Sequence, residues 1–271
     1  MKTAIAVVGL ILVIALAAVL LLANQFSRKM AALEATVLSG EPLPIRDNLP
    51  EAVAAFAWRG MAGATVPMSG TRLEQAVEMR LKKGRDWTPM RAWQVIGAGA
   101  PGFAWFATMS AGPVPIVRVV DAYAAGEGLL EVRALGAIPM GRSYGPEATR
   151  GEVMRYLAEL PWSPDAILTN PELRWQETGP DRVSVSLDLA DGPASVTFVF
   201  DEGGDMVTME ANDRPAEDAA GAPTRMDWRG RFWDYGEIGG RRIPRRGEVG
   251  WLWPDGYEGY WRGEITAYAL K

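Results

Sequence analysis

The order of apolar and polar positions divides the chain into one long apolar run, a short helical stretch and a long series of alternating segments. Ala4 to Ala23 is uninterrupted by any polar residue. As a helix rising about 1.5 Å per residue, a run of that length spans roughly 30 Å, the thickness of a bilayer's hydrocarbon core. A cleaved signal peptide has a shorter apolar region, about 7–15 residues, and ends in a small-x-small site. The junction Leu21-Leu22-Ala23-Asn24 is a poor cleavage site, so the pattern predicts an uncleaved transmembrane anchor. Lys2 and the N-terminal amine nearly balance Arg28 and Lys29 on the other side. The short leader before the run favours a cytoplasmic N-terminus and a large C-terminal domain outside. Gln25 to Leu38 continues with helical character, and Gly40, Pro42 and Pro44 end it. Asn48-Leu49-Pro50 opens a second short helix through Ala57.

From there the period changes to two. Leu73, Val77, Met79 and Leu81 share one face, with Glu74, Glu78 and Arg80 on the other. Val183 to Leu189 alternates throughout, Asp191-Gly192 marks a turn, and Val196, Phe198 and Phe200 resume the alternation. Glu202-Gly203-Gly204 then leads into Val207-x-Met209-x-Ala211, completing a β-meander. Further strands are expected at 92–98, 103–109, 116–123, 129–135, 173–178, 226–235, 247–253 and 257–268, and an exposed loop over 212–224. Alternation of this kind means an antiparallel sheet covered on one side. One insert has period 3.6: residues 149–160 form a helix stopped by Pro161, and Ser163-Pro164-Asp165 caps another through Leu168. The expected organisation is a transmembrane anchor over 1–27, a juxtamembrane helix and linker over 28–48, and a single β-rich domain over 49–271. The fold class is mainly β with a few helices, a strongly curved antiparallel half-barrel carrying a helical insert.

Composition narrows the chemistry. The 271 residues hold no cysteine and no histidine. Thiolate catalysis, disulfides and Ser-His-Asp or Cys-His machinery are thereby excluded, and zinc or iron sites of the usual kinds lose their ligands. No metal and no cofactor is expected. A formal charge of −5 gives nucleic-acid binding no electrostatic support. The letters Gly141-Arg142-Ser143-Tyr144-Gly145 match a nucleophile elbow, but that serine needs a histidine to take its proton. Asp121 to Gly128 carries two glycines, which suit a hairpin turn better than a phosphate cradle, and Asp121 could cap that turn.

Glu152, Arg155, Tyr156 and Glu159 stand at i, i+3, i+4 and i+7 and share one helix face. Two readings compete for them. In one, Thr149 and Glu152 form a capping box and Arg155–Glu159 an exposed ion pair. In the other the stripe turns inward and lines a pocket with Asp121, Tyr123 and Arg214. Arg241, Arg242, Arg245 and Arg246 crowd one short segment that reads as a solvated turn or a contact with anionic headgroups. Five tryptophans near the C-terminus (228, 233, 251, 253 and 261) fill a core or line an apolar groove.

These residues carry a resemblance. Phe103-x-Trp105, Asp121-x-Tyr123-x-x-Gly126-x-Gly128, Gly151-Glu152-x-x-Arg155-Tyr156-Leu157-Ala158-Glu159-x-x-Trp162-x-Pro164, Arg214 and Gly240-x-Arg242-Ile243-Pro244 resemble an uncharacterised bacterial family. That family has one N-terminal membrane helix and a β-rich domain of unknown function. More remotely the architecture is similar to the lipoprotein-carrier fold, which implies periplasmic capture of an acyl chain or other apolar ligand. A retained anchor departs from that fold, because a shuttling carrier must leave the membrane. The expected partners are therefore the bilayer, through residues 4–23, and an apolar ligand bound without catalysis. A carboxylate-only hydrolase built on Glu152, Glu159 and Asp121, or an assembly role in a membrane complex, are the alternatives.

Overall fold

The computed structural model describes residues 2–41 and 43–271; Pro42, expected among the helix stops, lies outside the described residues. The chain runs α1 (Lys2–Val37), α2 (Glu51–Gly60), β1 (Gly70–Met79), β2 (Thr88–Gly97), β3 (Phe103–Ala111), β4 (Val114–Ala124), β5 (Glu127–Ala134) and β6 (Ile138–Tyr144). A helical insert follows: α3 (Pro146–Ala158), a tight 3-10 turn (Leu160–Trp162) and α4 (Pro164–Thr169). The second half comprises β7 (Arg174–Gly179), β8 (Arg182–Leu187), β9 (Ala194–Phe200), β10 (Met206–Glu217), β11 (Pro223–Ile238), β12 (Arg241–Trp253) and β13 (Gly256–Leu270).

All thirteen strands join one antiparallel sheet in the order β6-β5-β4-β3-β2-β1-β13-β12-β11-β10-β9-β8-β7. Two meanders therefore meet at the β1–β13 pair, and β6 and β7 remain as free edges. The inner face curls around α2, α3 and α4, which bury Phe56, Tyr156, Leu157 and Ile167 against Leu73, Phe103, Val185 and Phe198. The expected alternation is present in β8, where Val183, Val185 and Leu187 face inward, and in β9, where Val196, Phe198 and Phe200 do.

One-sided covering does not hold for the first meander. α1 continues without a break past the apolar run, because no proline or glycine interrupts 25–38. Its Phe26, Met30, Leu33 and Val37, spaced as one stripe, pack on the outer face against Val95, Ala104, Phe106, Val120 and Ala122. β2 and β3 are thus buried on both faces, which explains the continuous run Phe103-Ala-Trp-Phe-Ala107. Polar contacts fix the helix in place: Lys29 pairs with buried Glu131, Arg72 with Glu34 at 3.0 Å, and Arg118 donates to Ser27 Oγ at 2.8 Å. Burial alone would raise the Glu131 carboxyl, but hydrogen bonds from Lys29 and Arg133 hold it below its ordinary range. The expected boundary between anchor and juxtamembrane helix falls inside this single helix.

Other expectations change as well. β1 ends at Met79 and Leu81 sits in an exposed loop. Residues 212–217 belong to β10, and the loop shrinks to the turn after Glu217. The arginine run is not a turn but the start of β12, the turn being Gly239-Gly240. Arg241 is only 2% exposed and forms a bidentate pair with fully buried Asp165 of α4, at 2.8 and 2.7 Å. Asp165 also accepts the Met68 N–H, so one carboxylate joins α4, β12 and the segment before β1.

Candidate functional site

α3 lies across the inner face of the first meander. It starts three residues earlier than its period suggested, with Pro146 in its first turn and Gly145 before it at φ +92. Thr149 therefore does not cap it; its hydroxyl accepts the N–H of Gly128, where α3 crosses β5. A Cβ at Gly128 would meet the Thr149 Cα at 2.5 Å, so the second glycine of the Asp121–Gly128 motif is required by this crossing. Asp121 is not a turn cap. It stands within β4, opposite Trp105 of β3 and Leu130 of β5.

The polar stripe turns inward. Arg155 donates to Asp121, and through Nε to Glu159 Oε1 at 2.9 Å. Its guanidinium lies over Phe103 and Trp105, 5.0 and 4.9 Å from the ring centres. Glu159 accepts from Gln94 of β2, and Trp105 Nε1 donates to Gln75 of β1 at 2.8 Å. One side chain thus gathers groups from β2, β3, β4 and α3. Burial disfavours the Arg155 charge, but Asp121, Glu159 and Glu152 outweigh it and raise its pKa further. Glu152 is pushed well above the ordinary carboxylate range, chiefly by burial and then by Asp121 beside it, against the pull of Arg214 and Arg155. A proton on Glu152 supplies the donor that Glu152 Oε2 and Asp121 Oδ1 otherwise lack. Glu159 is raised too, by burial first, with Arg155 opposing.

The remaining expected residues are dispersed around this cluster. Arg214 stacks on Trp228 and Trp251 at 4.4 and 5.3 Å and donates to the Gly151 carbonyl, tying β10 to α3. Tyr156 points elsewhere and accepts from Asn170 Nδ2 at 3.0 Å; Tyr123 is buried close by. Of the basic run, Arg242 pairs with Asp205, Arg245 with Asp234 and Arg246 with Glu264, so each has a carboxylate partner. Gln75 and Gln94 were not expected. Their signal was a polar residue at an inward position of an alternating strand. The arrangement holds α3 to the sheet; as catalytic chemistry it is poorly built. A glycosidase pair needs carboxyl groups about 5–10 Å apart in an open cleft. Here Glu152 and Asp121 are in hydrogen-bond reach of each other, and Glu159 is held by Arg155 and Gln94.

Beyond the cluster the inner face changes character. In register with Asp121 and continuing down the same face are Val119 and Val117 of β4, Met109 of β3, and Val132 and Ala134 of β5. α3 passes above them, and Met109, Val117, Val119 and Val132 are only partly buried. This strip runs toward the end of the sheet where Gly136 meets Ala23, the last residue of the apolar run in α1. On the outer face a groove of about 990 Å³ is walled by Arg91, Arg246, Arg262 and Trp233. It contains none of the clustered residues.

The chain belongs to the family of unknown function DUF6544, whose profile matches residues 44–263. No curated protein matches it. Among solved structures it is similar to a LolA superfamily protein from Nitrosomonas europaea (11% identity, 81% of this chain and 93% of that one, TM-score 0.43). It is also similar to a putative outer membrane lipoprotein-sorting protein domain from Vibrio parahaemolyticus (8% identity, 80% and 92%, TM-score 0.45). A DUF1329 family protein from Desulfovibrio piger is a third (9% identity, 86% and 94%, TM-score 0.44).

Replacing Arg155 by alanine leaves buried Glu159 and mostly buried Asp121 without their cation. The expected loss in urea unfolding, followed by tryptophan emission of the detergent-solubilised chain, is roughly 3–5 kcal/mol. A loss below about 1 kcal/mol, the range of an exposed pair, would contradict the buried cluster. Titration gives a second check. With its pKa raised in the folded state, Glu152 keeps a proton that the unfolded chain releases above about pH 4.3. Stability should therefore fall as pH rises from there through the raised value. Glu152→Gln should flatten that decline, leaving the part due to Glu159. Parallel profiles for the two proteins between about pH 5 and about pH 9 would show that Glu152 does not hold the proton.

Proposed function

We propose that this member of a family of unknown function is a membrane-tethered, extracytoplasmic domain that binds a lipid-like or other apolar ligand without transforming it. The observation that carries the reading is the partly buried strip of Met109, Val117, Val119 and Val132, on the inner face between the Arg155 cluster and the end of the sheet nearest the anchor. Apolar surface in a concave face, bounded by a few fixed polar groups, is the usual form of a small-ligand site. Tethering rests on α1, whose apolar stretch is exposed from Ala4 to Ala18, meets the domain only near its end, at Val19 and Ala23, and is long enough to cross a bilayer. In this reading the Arg155 cluster is the closed end of the site: it pins α3 and sets how far an acyl chain can enter. The ligand then approaches from the bilayer, which suits a binder that stays anchored rather than one that shuttles.

Two measurements check the reading. Full chain purified in mild detergent and extracted with organic solvent should release lipid detectable by mass spectrometry. Val132→Trp, which fills the strip beside Gly141 where nothing crowds the backbone, should release several-fold less at unchanged thermal stability. Equal lipid from both proteins would remove the strip as the site. For topology, alkaline phosphatase fused after Lys271 should be active in cells and a green fluorescent protein fusion dark. The reverse pattern would place the domain in the cytoplasm.

A further inference from the structure

Strand β6 is exposed at every position and forms one free edge of the sheet. Its composition is unusual for an exposed edge. Ile138 is 53% and Met140 63% exposed, and Leu135 in the preceding turn is 43% exposed. The β3–β4 turn lies alongside, since the Leu135 N–H donates to the Ile116 carbonyl at 2.9 Å, and it exposes Val114 as well. A contiguous apolar rim on an otherwise charged domain marks a surface that meets another apolar phase.

α1 fixes the height of this rim. A Cβ at Gly136, between Leu135 and Ile138, would lie 3.6 Å from the Ala23 Cβ, at the outer end of the apolar run. Val19, one helical turn deeper, is itself partly buried, so the domain follows the helix at least that far, about 5 Å. We propose that the β5–β6 turn and the start of β6 form a membrane-interfacial edge, with Leu135, Ile138 and Met140 inserted at the headgroup–acyl boundary of the bilayer that α1 spans. The proposal rests on the tethering reading above. Amphipathic elements of this kind sit about 5–10 Å into that boundary. Arg28 and Arg142, both exposed near the same level of α1 and on β6, supply cations toward lipid phosphates.

A second strand is the other occupant an edge invites, and β6 is badly built for one. A bulge falls between Val132 and Arg133 of its neighbour, and Pro139 has no N–H to donate. Those features block strand pairing, whereas the exposed Ile138 and Met140 are left with no soluble partner. The edge has a consequence for the site. Ile138 pairs with Ala134 on the inner face, so the apolar strip opens at the level of the bilayer and a lipid could enter it without crossing water.

The absence of native cysteine makes the test clean. Single cysteines introduced by Leu12→Cys, Met140→Cys and Glu127→Cys in the full chain would carry an environment-sensitive fluorophore. Each protein is reconstituted in phosphatidylcholine–phosphatidylglycerol vesicles with brominated acyl chains. Glu127 is the control, because the β4–β5 turn lies at the opposite end of the hairpin. The expected result is strong quenching at position 12, loss of roughly half the emission with a blue shift at 140, and neither at 127. Quenching at 12 with position 140 indistinguishable from 127 would overturn the interfacial edge and leave the anchor standing. No quenching at 12 would overturn the anchor and the edge together.

Discussion

A guanidinium held mostly out of water between a helix and a sheet has to meet its charge with carboxylates, and Arg155 does so by drawing Asp121 of β4 and Glu159 of its own helix around it. The rest of the first meander follows from that requirement. With Arg155 fixed to β4 and Glu159 to Gln94 of β2, α3 must cross the strands at one level, and Gly128 must be small to let it pass. The inner face above the crossing is packed solid. Below it, toward the anchor, the valines of β4 and β5 keep part of their surface exposed. A structural clamp thereby sets the boundary between the packed core and the open strip.

The outer face follows a different constraint. An unbroken helix docked along its length cannot swing freely, and α1 continues past its apolar stretch as the layer covering β2 to β5. Lys29–Glu131 and Glu34–Arg72 hold it there in addition to Phe26 and Met30. In the tethered reading proposed above, the orientation of the whole sheet relative to the membrane is inherited from the direction of α1. The β3–β4 and β5–β6 turns lie at the end of the sheet nearest the apolar stretch of α1, and the β4–β5 turn lies at the far end.

Much of this was legible in the chain. The meander from Val183 to Ala211 alternates because its outer face is solvated, and the structure follows that pattern through β8 and β9 and again at Met209 and Ala211, while a bulge at the start of β10 turns Met206 inward in place of Val207. The shared face of Glu152, Arg155 and Glu159 was visible from spacing alone; its direction was not, since the partner Asp121 is far away in sequence. β6 was invisible for a physical reason. Ile-Pro-Met-Gly-Arg-Ser-Tyr has no buried face, so nothing imposes alternation on it. The arginine run misled because Arg241 finds Asp165 only through tertiary packing, and a dense positive stretch with its carboxylates elsewhere looks solvated. The double covering of β3 did leave a trace, the five apolar residues from Phe103 to Ala107, whose unbroken character argues against a one-sided strand.

The central claim is that the strip beside Val119 holds a lipid-like molecule while the domain is tethered to its membrane. A photo-crosslinking amino acid placed at Val119 of the full chain in living cells tests it most directly. Irradiation should add the mass of a membrane lipid to the intact protein, and the adduct should disappear when Val132 is changed to tryptophan. An unmodified chain, or one whose adduct is another protein, would contradict the account.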